Sequence, residues 1–204
     1  LLGGGNTNGA LSPEQAYHLA ILNAERLDNA VRPEYLVGVM IVESRLGANV
    51  GNAYCKDALS RCANRPDNNT RINYIRHEEA FEQLVNKLGY GLNQPVSPCP
   101  HPKYTGTGGA MGPAQIMPTT WLGYESKLRN IKGEQVDPWN SEDAMLAIGH
   151  ILLGKVGGQS IAGNTHLEKK AAMRYLGGGS HGWYADQVMK EAERIDKIFG
   201  SLDE

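Results

Sequence analysis

One carboxylate in this chain stands where a carboxylate is costly. Glu43 closes the apolar run Tyr35-Leu36-Val37-Gly38-Val39-Met40-Ile41-Val42 and is followed by Ser44-Arg45-Leu46-Gly47. A carboxyl group tied to a helix that is hydrophobic on nearly every face loses water, and desolvation favours its neutral, protonated form. That is what a general acid needs near neutral pH. A plainer reading makes Glu43 a helix-end charge paired with Arg45 or a remote lysine, and the spacing alone leaves both open.

A second landmark is Gly106-Thr107-Gly108-Gly109-Ala110-Met111-Gly112-Pro113-Ala114-Gln115-Ile116-Met117-Pro118. Four glycines in seven residues allow tight turns and close approach of a ligand to backbone amides. Gln115, with a donor and an acceptor inside an apolar stretch, is suited either to a polar ligand such as a sugar or to a structural cap. The segment is no dinucleotide fingerprint, because no strand precedes it and no βαβ helix follows. Tyr124, Trp139, Tyr175, Trp183 and Tyr184 add aromatic faces of the kind that cover sugar C–H surfaces. Metal and nucleophile chemistry find weaker support. His77-Glu78-Glu79 lacks a second histidine, Cys55, Cys62, Cys99 and His101 lack zinc-knuckle spacing, and no serine sits in a Gly-x-Ser-x-Gly elbow. Asp67-Asn68-Asn69 resembles a turn more than a calcium loop.

The elements that must hold these groups are helical. Ser12-Pro13-Glu14-Gln15 supplies an N-cap, a first-turn proline and a capping-box glutamine, and apolar spacing carries a helix to about Asn29. Pro33-Glu34 opens a second helix that Gly47 can stop, and its all-round apolar character places it in the core. Further helices are expected at 74–88, at 118–128, from 144 to 153 behind the acidic lead-in Ser141-Glu142-Asp143, at 165–176 and at 182–199. Strand patterning is nearly absent, so the expected architecture is mainly α, with long loops around a cleft. Residues 1–11 read as a flexible lead-in and 12–204 as one domain, with insertion-like material between 48 and 105. The stretch 48–71 reads as a long irregular excursion that needs tying down. Three cysteines leave the tie open: Cys55 with Cys62, or either of them with Cys99, or free buried thiols.

Composition sets outer limits. The formal charge of −2 over 204 residues, with scattered basic residues, gives no reason to expect nucleic acid. No segment reaches the roughly 18 apolar residues of a membrane span. The opening Leu1-Leu2-Gly3-Gly4-Gly5-Asn6 lacks the regions of a signal peptide, so the chain reads as the middle or end of a longer precursor.

Taken together and in order, Glu43-Ser44 with Gly47, Gly112-Pro113-Ala114-Gln115-Ile116-Met117-Pro118, Ala172-Met173-Arg174-Tyr175-Leu176-Gly177 and Tyr184 with Val188 resemble the lytic transglycosylases of the goose-type lysozyme-like superfamily. The resemblance covers about residues 12–199. It implies a lysozyme-like helical fold and cleavage of the β-1,4 bond between N-acetylmuramic acid and N-acetylglucosamine in peptidoglycan, leaving a 1,6-anhydro end. Glu43 would act as general acid and then base. Ser44 would orient substrate, Gln115 would bind sugar or hold the cleft floor, and Met117 would line the glycan site. Tyr175 would orient Glu43 through its hydroxyl, with Tyr184 in the same wall. Leu176 stands where the family usually has Asn. No cofactor or metal is implied. The partner would be the glycan strand, met outside the cytoplasm by a monomer that parts missing from this chain could tie to membrane or wall. Two rivals remain: a hydrolytic muramidase in which Asp57 or Asp67 positions water, and a non-catalytic glycan-binding module.

Overall fold

A computed structural model describes residues 9–63, 71–100, 108–177 and 181–200. Among them lie eight helices: α1 (Pro13–Arg26), α2 (Pro33–Ser44), α3 (Cys55–Ala63), α4 (Arg71–Leu88), α5 (Pro118–Lys132), α6 (Ser141–Lys155), α7 (Thr165–Tyr175) and α8 (Gly182–Phe199). The described residues form no strand, only the isolated antiparallel bridges Ala53–Val96, Val96–Met111 and Met111–Ile116.

The two helices that are apolar all round, α2 and α6, form the centre. In α2 the residues Tyr35, Leu36, Val37, Val39 and Met40 are buried, and in α6 so are Ala144 through Ile148, Ile151 and Leu152. Each large apolar side chain removed from water contributes about 1.5–3 kcal/mol, so these two helices are held by tertiary burial rather than by propensity. α2 packs on α1, α6 and α8, α7 fills the angle between α6 and α8, and α3, α4 and α5 form a second group joined to the first through α5 on α6. The start of α1 carries the expected capping box: the Ser12 hydroxyl accepts the Gln15 N–H at 3.1 Å, and the Gln15 side chain accepts the Ser12 N–H at 2.9 Å.

Two features depart from the sequence reading, the helix α3 and the length of α5, and the structure selects one of the cysteine pairings left open. The excursion after Gly47 contains α3, whose Cys55, Ala58, Leu59 and Cys62 are all buried at helical spacing. The disulfide joins Cys62 to Cys99, and Cys55 is a free, buried thiol. Cys55 and Cys62 are seven residues apart on one helix, about 10 Å along its axis, beyond the Cα separation a disulfide spans. α5 runs past residue 128 to Lys132, where Gly133 (φ 83°) caps it by donating its N–H to the Arg129 carbonyl at 2.8 Å.

Candidate active site

Glu43 lies in the last turn of α2, and the chain leaves that helix through three consecutive left-handed residues, Arg45, Leu46 and Gly47 (φ 52°, 59° and 88°). The left-handed conformation costs roughly 1–2 kcal/mol at each non-glycine position. Burial of Leu46 offsets part of this, and the N–H groups of Arg45 and Leu46 still reach the Ile41 and Met40 carbonyls at 2.9 and 3.2 Å. The Ser44 hydroxyl is buried, accepts the Gly47 N–H at 2.9 Å and lies 3.4 Å from the Met40 carbonyl. Ser44 thus helps hold the turn behind Glu43.

Gly38 sets how closely α8 approaches α2. A Cβ there would lie 2.8 Å from the Val188 carbonyl oxygen and 3.0 Å from the Ala192 nitrogen. Gly38 meeting Val188 while Glu43 meets Tyr184 makes the two helices antiparallel, and that register delivers the Tyr184 hydroxyl to Glu43 Oε1, to which it donates a hydrogen bond. Among the described residues Glu43 forms no ion pair, so the pairing with Arg45 that its sequence position allowed is not made. Burial pushes the Glu43 carboxyl up from its ordinary 4.5 to about 7, against the opposing pull of the Tyr184 hydrogen bond. The side chain nonetheless keeps part of its surface open to solvent. The Tyr184 and Tyr175 hydroxyls are both pushed well above 10, first by burial and then by the Glu43 charge, so they remain protonated donors.

The hydroxyl bond to Glu43 expected of Tyr175 is made by Tyr184. Tyr184 carries the hydrogen bond to Glu43, whereas the Tyr175 hydroxyl donates to the Ala114 carbonyl at 2.8 Å and ties α7 to the glycine-rich loop. The reason is geometric: Tyr184 is on the helix packed against α2, and Tyr175 ends the helix beside it.

That loop is a tight turn. Met111 and Ile116 pair across it, with N···O distances of 3.0 and 3.3 Å. Gln115 is left-handed at φ 51° and donates its side-chain amide to the Gly112 carbonyl at 2.8 Å and toward the Val50 carbonyl at 3.4 Å. The Gln115 amide nitrogen is thus engaged by the loop's own backbone. Gly112 (φ 59°) lies so close to α6's lead-in that a Cβ would be 1.9 Å from the Pro138 oxygen. Met117 is the half-buried residue that opens α5, with its methyl 3.8 Å from where a Cβ on Gly109 would stand.

Sequence reading missed the network that seats Pro138 there. Lys132 is paired with Asp143 and, at 3.2 Å, with Glu134. Asp143 accepts the Asp137 N–H at 2.9 Å, and Asp137 accepts the Trp139 N–H at 2.8 Å and the Tyr90 hydroxyl at 2.5 Å. Glu142 and Asp143 had read only as helix-dipole partners in the first turn of α6. No local pattern reveals that Asp143 reaches back to the preceding loop.

The aromatic row divides. Trp139 is a core residue, edge-on to Phe81 and Tyr90, with its indole N–H on the Pro95 carbonyl at 3.0 Å. Tyr124 packs edge-on against His150 between α5 and α6. Tyr175 and Tyr184 adjoin Glu43, and Trp183 is largely exposed. Of the aspartates considered for a hydrolytic route, Asp57 is exposed on α3 and lines a cavity with Asn52, Tyr54 and Arg61; Asp67 lies outside the described residues.

Residues 15–193 match the family described as the transglycosylase SLT domain, nearly the whole span that holds the site. The chain belongs to this family. It is an enzyme of the lytic transglycosylase type. Among solved structures, its fold is similar to that of a 36 kDa muramidase/transglycosylase (16% identity, 92% of this chain and 77% of that one, TM-score 0.64). It is likewise similar to the Escherichia coli lytic transglycosylase Slt35 in complex with bulgecin A (16% identity, 96% and 81%, TM-score 0.61). The soluble lytic transglycosylase SltB1 from Pseudomonas aeruginosa is a third (14% identity, 97% and 81%, TM-score 0.59). No curated protein matches the chain in sequence. At these identities the structures establish a shared fold, the mainly α, lysozyme-like helical domain expected from the sequence.

Proposed function

We propose that this protein cleaves the β-1,4 bond between N-acetylmuramic acid and N-acetylglucosamine in peptidoglycan, outside the cytoplasm, and leaves a 1,6-anhydro-N-acetylmuramic acid end. The observation that carries the reading is Glu43: a carboxyl raised to about 7 by burial, with an uncharged tyrosine hydroxyl as its hydrogen-bond partner. Near pH 7 a large fraction of such a group is protonated, and its proton passes to the glycosidic oxygen as the C1–O bond breaks. The resulting Glu43 carboxylate then takes the proton of the muramic acid C6 hydroxyl while that oxygen bonds to C1. The acid is regenerated and no water is consumed.

A single carboxyl suffices because the attacking hydroxyl is tethered to the reacting sugar, which supplies the proximity a separate water would lack. The Tyr184 hydroxyl, held protonated, stabilises the ionised form of Glu43 between the two steps. The Gly112–Gln115 turn, fixed by Gln115, forms the floor, and Met117 lines the glycan beside it.

The pH profile of kcat/KM on peptidoglycan tests this. One carboxyl used first as an acid predicts a plateau at low pH and a single descending limb near pH 7. A bell with an ascending limb from a second essential carboxylate would overturn the single-residue route in favour of hydrolysis.

A further inference from the structure

An exposed indole stands beside the Glu43–Tyr184 pair. Trp183 is 58% exposed, whereas the chain's other two tryptophans, Trp121 and Trp139, are 0% and 7% exposed. It occupies the first turn of α8, and its ring stands edge-on to Tyr184 at 5.9 Å between centroids and 89° between planes. Tyr184 in turn donates to Glu43. Trp183 is thus separated from the carboxyl by one aromatic side chain. Tyr184 is buried and packs at a right angle to the indole, whose exposure leaves surface free for a ligand.

We propose that Trp183 is a stacking platform for a sugar next to the scissile bond, and that it helps set the length of glycan strand the enzyme uses. The inference rests on the glycan reading of the Glu43 site. Pyranose rings present C–H groups that pack on an aromatic face while their hydroxyls stay in water, so an exposed indole at the rim of a polysaccharide site gains contact area without burying a polar group. Trp183 touches no reacting atom. Its contribution is therefore to binding that is equal in ground and transition states, and it appears in KM rather than in kcat.

The experiment compares wild type, Trp183→Phe and Trp183→Ala on peptide-free alternating glycan strands of increasing length. Trp183→Ala is expected to raise KM roughly three- to tenfold on long strands with kcat nearly unchanged, and Trp183→Phe to recover most of the loss. The effect should vanish on the shortest cleaved strand. Acrylamide quenching gives a second readout that needs no turnover, since Trp183 is the exposed indole: Glu43→Gln protein saturated with glycan should lose most of its accessible quenching. An unchanged KM with unprotected fluorescence would overturn the proposal while leaving the Glu43 reading intact. A fall in kcat at constant KM would also overturn it, placing Trp183 behind Tyr184 rather than on the glycan. Absence of both turnover and glycan protection in wild type would refute the underlying glycan reading itself.

Discussion

Replacing Glu43 by Gln should abolish turnover and at the same time stabilise the fold at alkaline pH. Burial holds the folded-state carboxyl near 7, against 4.5 when solvated. Because the folded protein binds this proton more tightly than the unfolded chain, stability falls as pH rises from about 4.5 to about 7 and is level above that. At about 1.4 kcal/mol per pH unit, the ionised side chain costs the fold about 3 kcal/mol by pH 8. Glutamine carries no charge and keeps an oxygen for the Tyr184 hydroxyl. The variant should therefore match wild type at pH 4 and exceed it at pH 8. For a chain of this length, about 2–4 °C per kcal/mol makes the gap in Tm about 6–12 °C. Thermal melts of both proteins at pH 4, 6 and 8, read by circular dichroism, would measure it. A gap of the same size at every pH, or one that opens on the acid side, would refute a raised Glu43 pKa.

Tyr184→Phe removes the hydrogen bond that favours the Glu43 carboxylate, so the descending limb of the rate profile should move above pH 7 and the rate should fall roughly 10- to 100-fold; an unmoved limb would contradict the assigned partner. Gly112→Ala forces a Cβ against the Pro138 oxygen at a positive φ, and urea unfolding should report a loss of about 2–4 kcal/mol. Asp143→Ala leaves the Lys132 ammonium with the exposed Glu134 in place of its buried partner and frees the Asp137 N–H, costing about 2–3 kcal/mol in the same assay. Reduction of Cys62–Cys99, which closes a loop with a sequence separation of 37, should cost up to about 4 kcal/mol, measured as the drop in urea midpoint with and without reductant.

What could be read from the sequence follows the range over which each physical signal acts. Helix α1 was legible because Ser12, Pro13 and Gln15 act within one turn, and α2 and α6 because all-round apolarity has no other use in a chain of this composition. Glu43 stood out for the same reason: a carboxyl at the end of such a helix is desolvated whatever packs against it. α3 was also written in the sequence, in the Cys55, Ala58, Leu59, Cys62 spacing, and was obscured by the Gly and Asn residues around it. The partners across elements were not legible. The carbonyl that Tyr175 meets, the tyrosine that reaches Glu43, and the path from Lys132 through Asp143 to Pro138 depend on how helices are set against each other. Gly38 decides part of that setting, yet in sequence it is only a small residue in an apolar run. The bond from the Gly47 N–H to the Ser44 hydroxyl was likewise not legible, because it depends on the left-handed turn that follows α2.

In the proposed mechanism Glu43 alone serves as acid and then base, with the substrate's own hydroxyl as nucleophile. Mass spectrometry of the soluble products released from purified peptidoglycan by wild type and by Glu43→Gln tests it most directly. Muropeptides one water lighter than hydrolytic products are expected from wild type and not from the variant. Reducing-end products of full mass from wild type, or anhydro products that persist with Glu43→Gln, would contradict it.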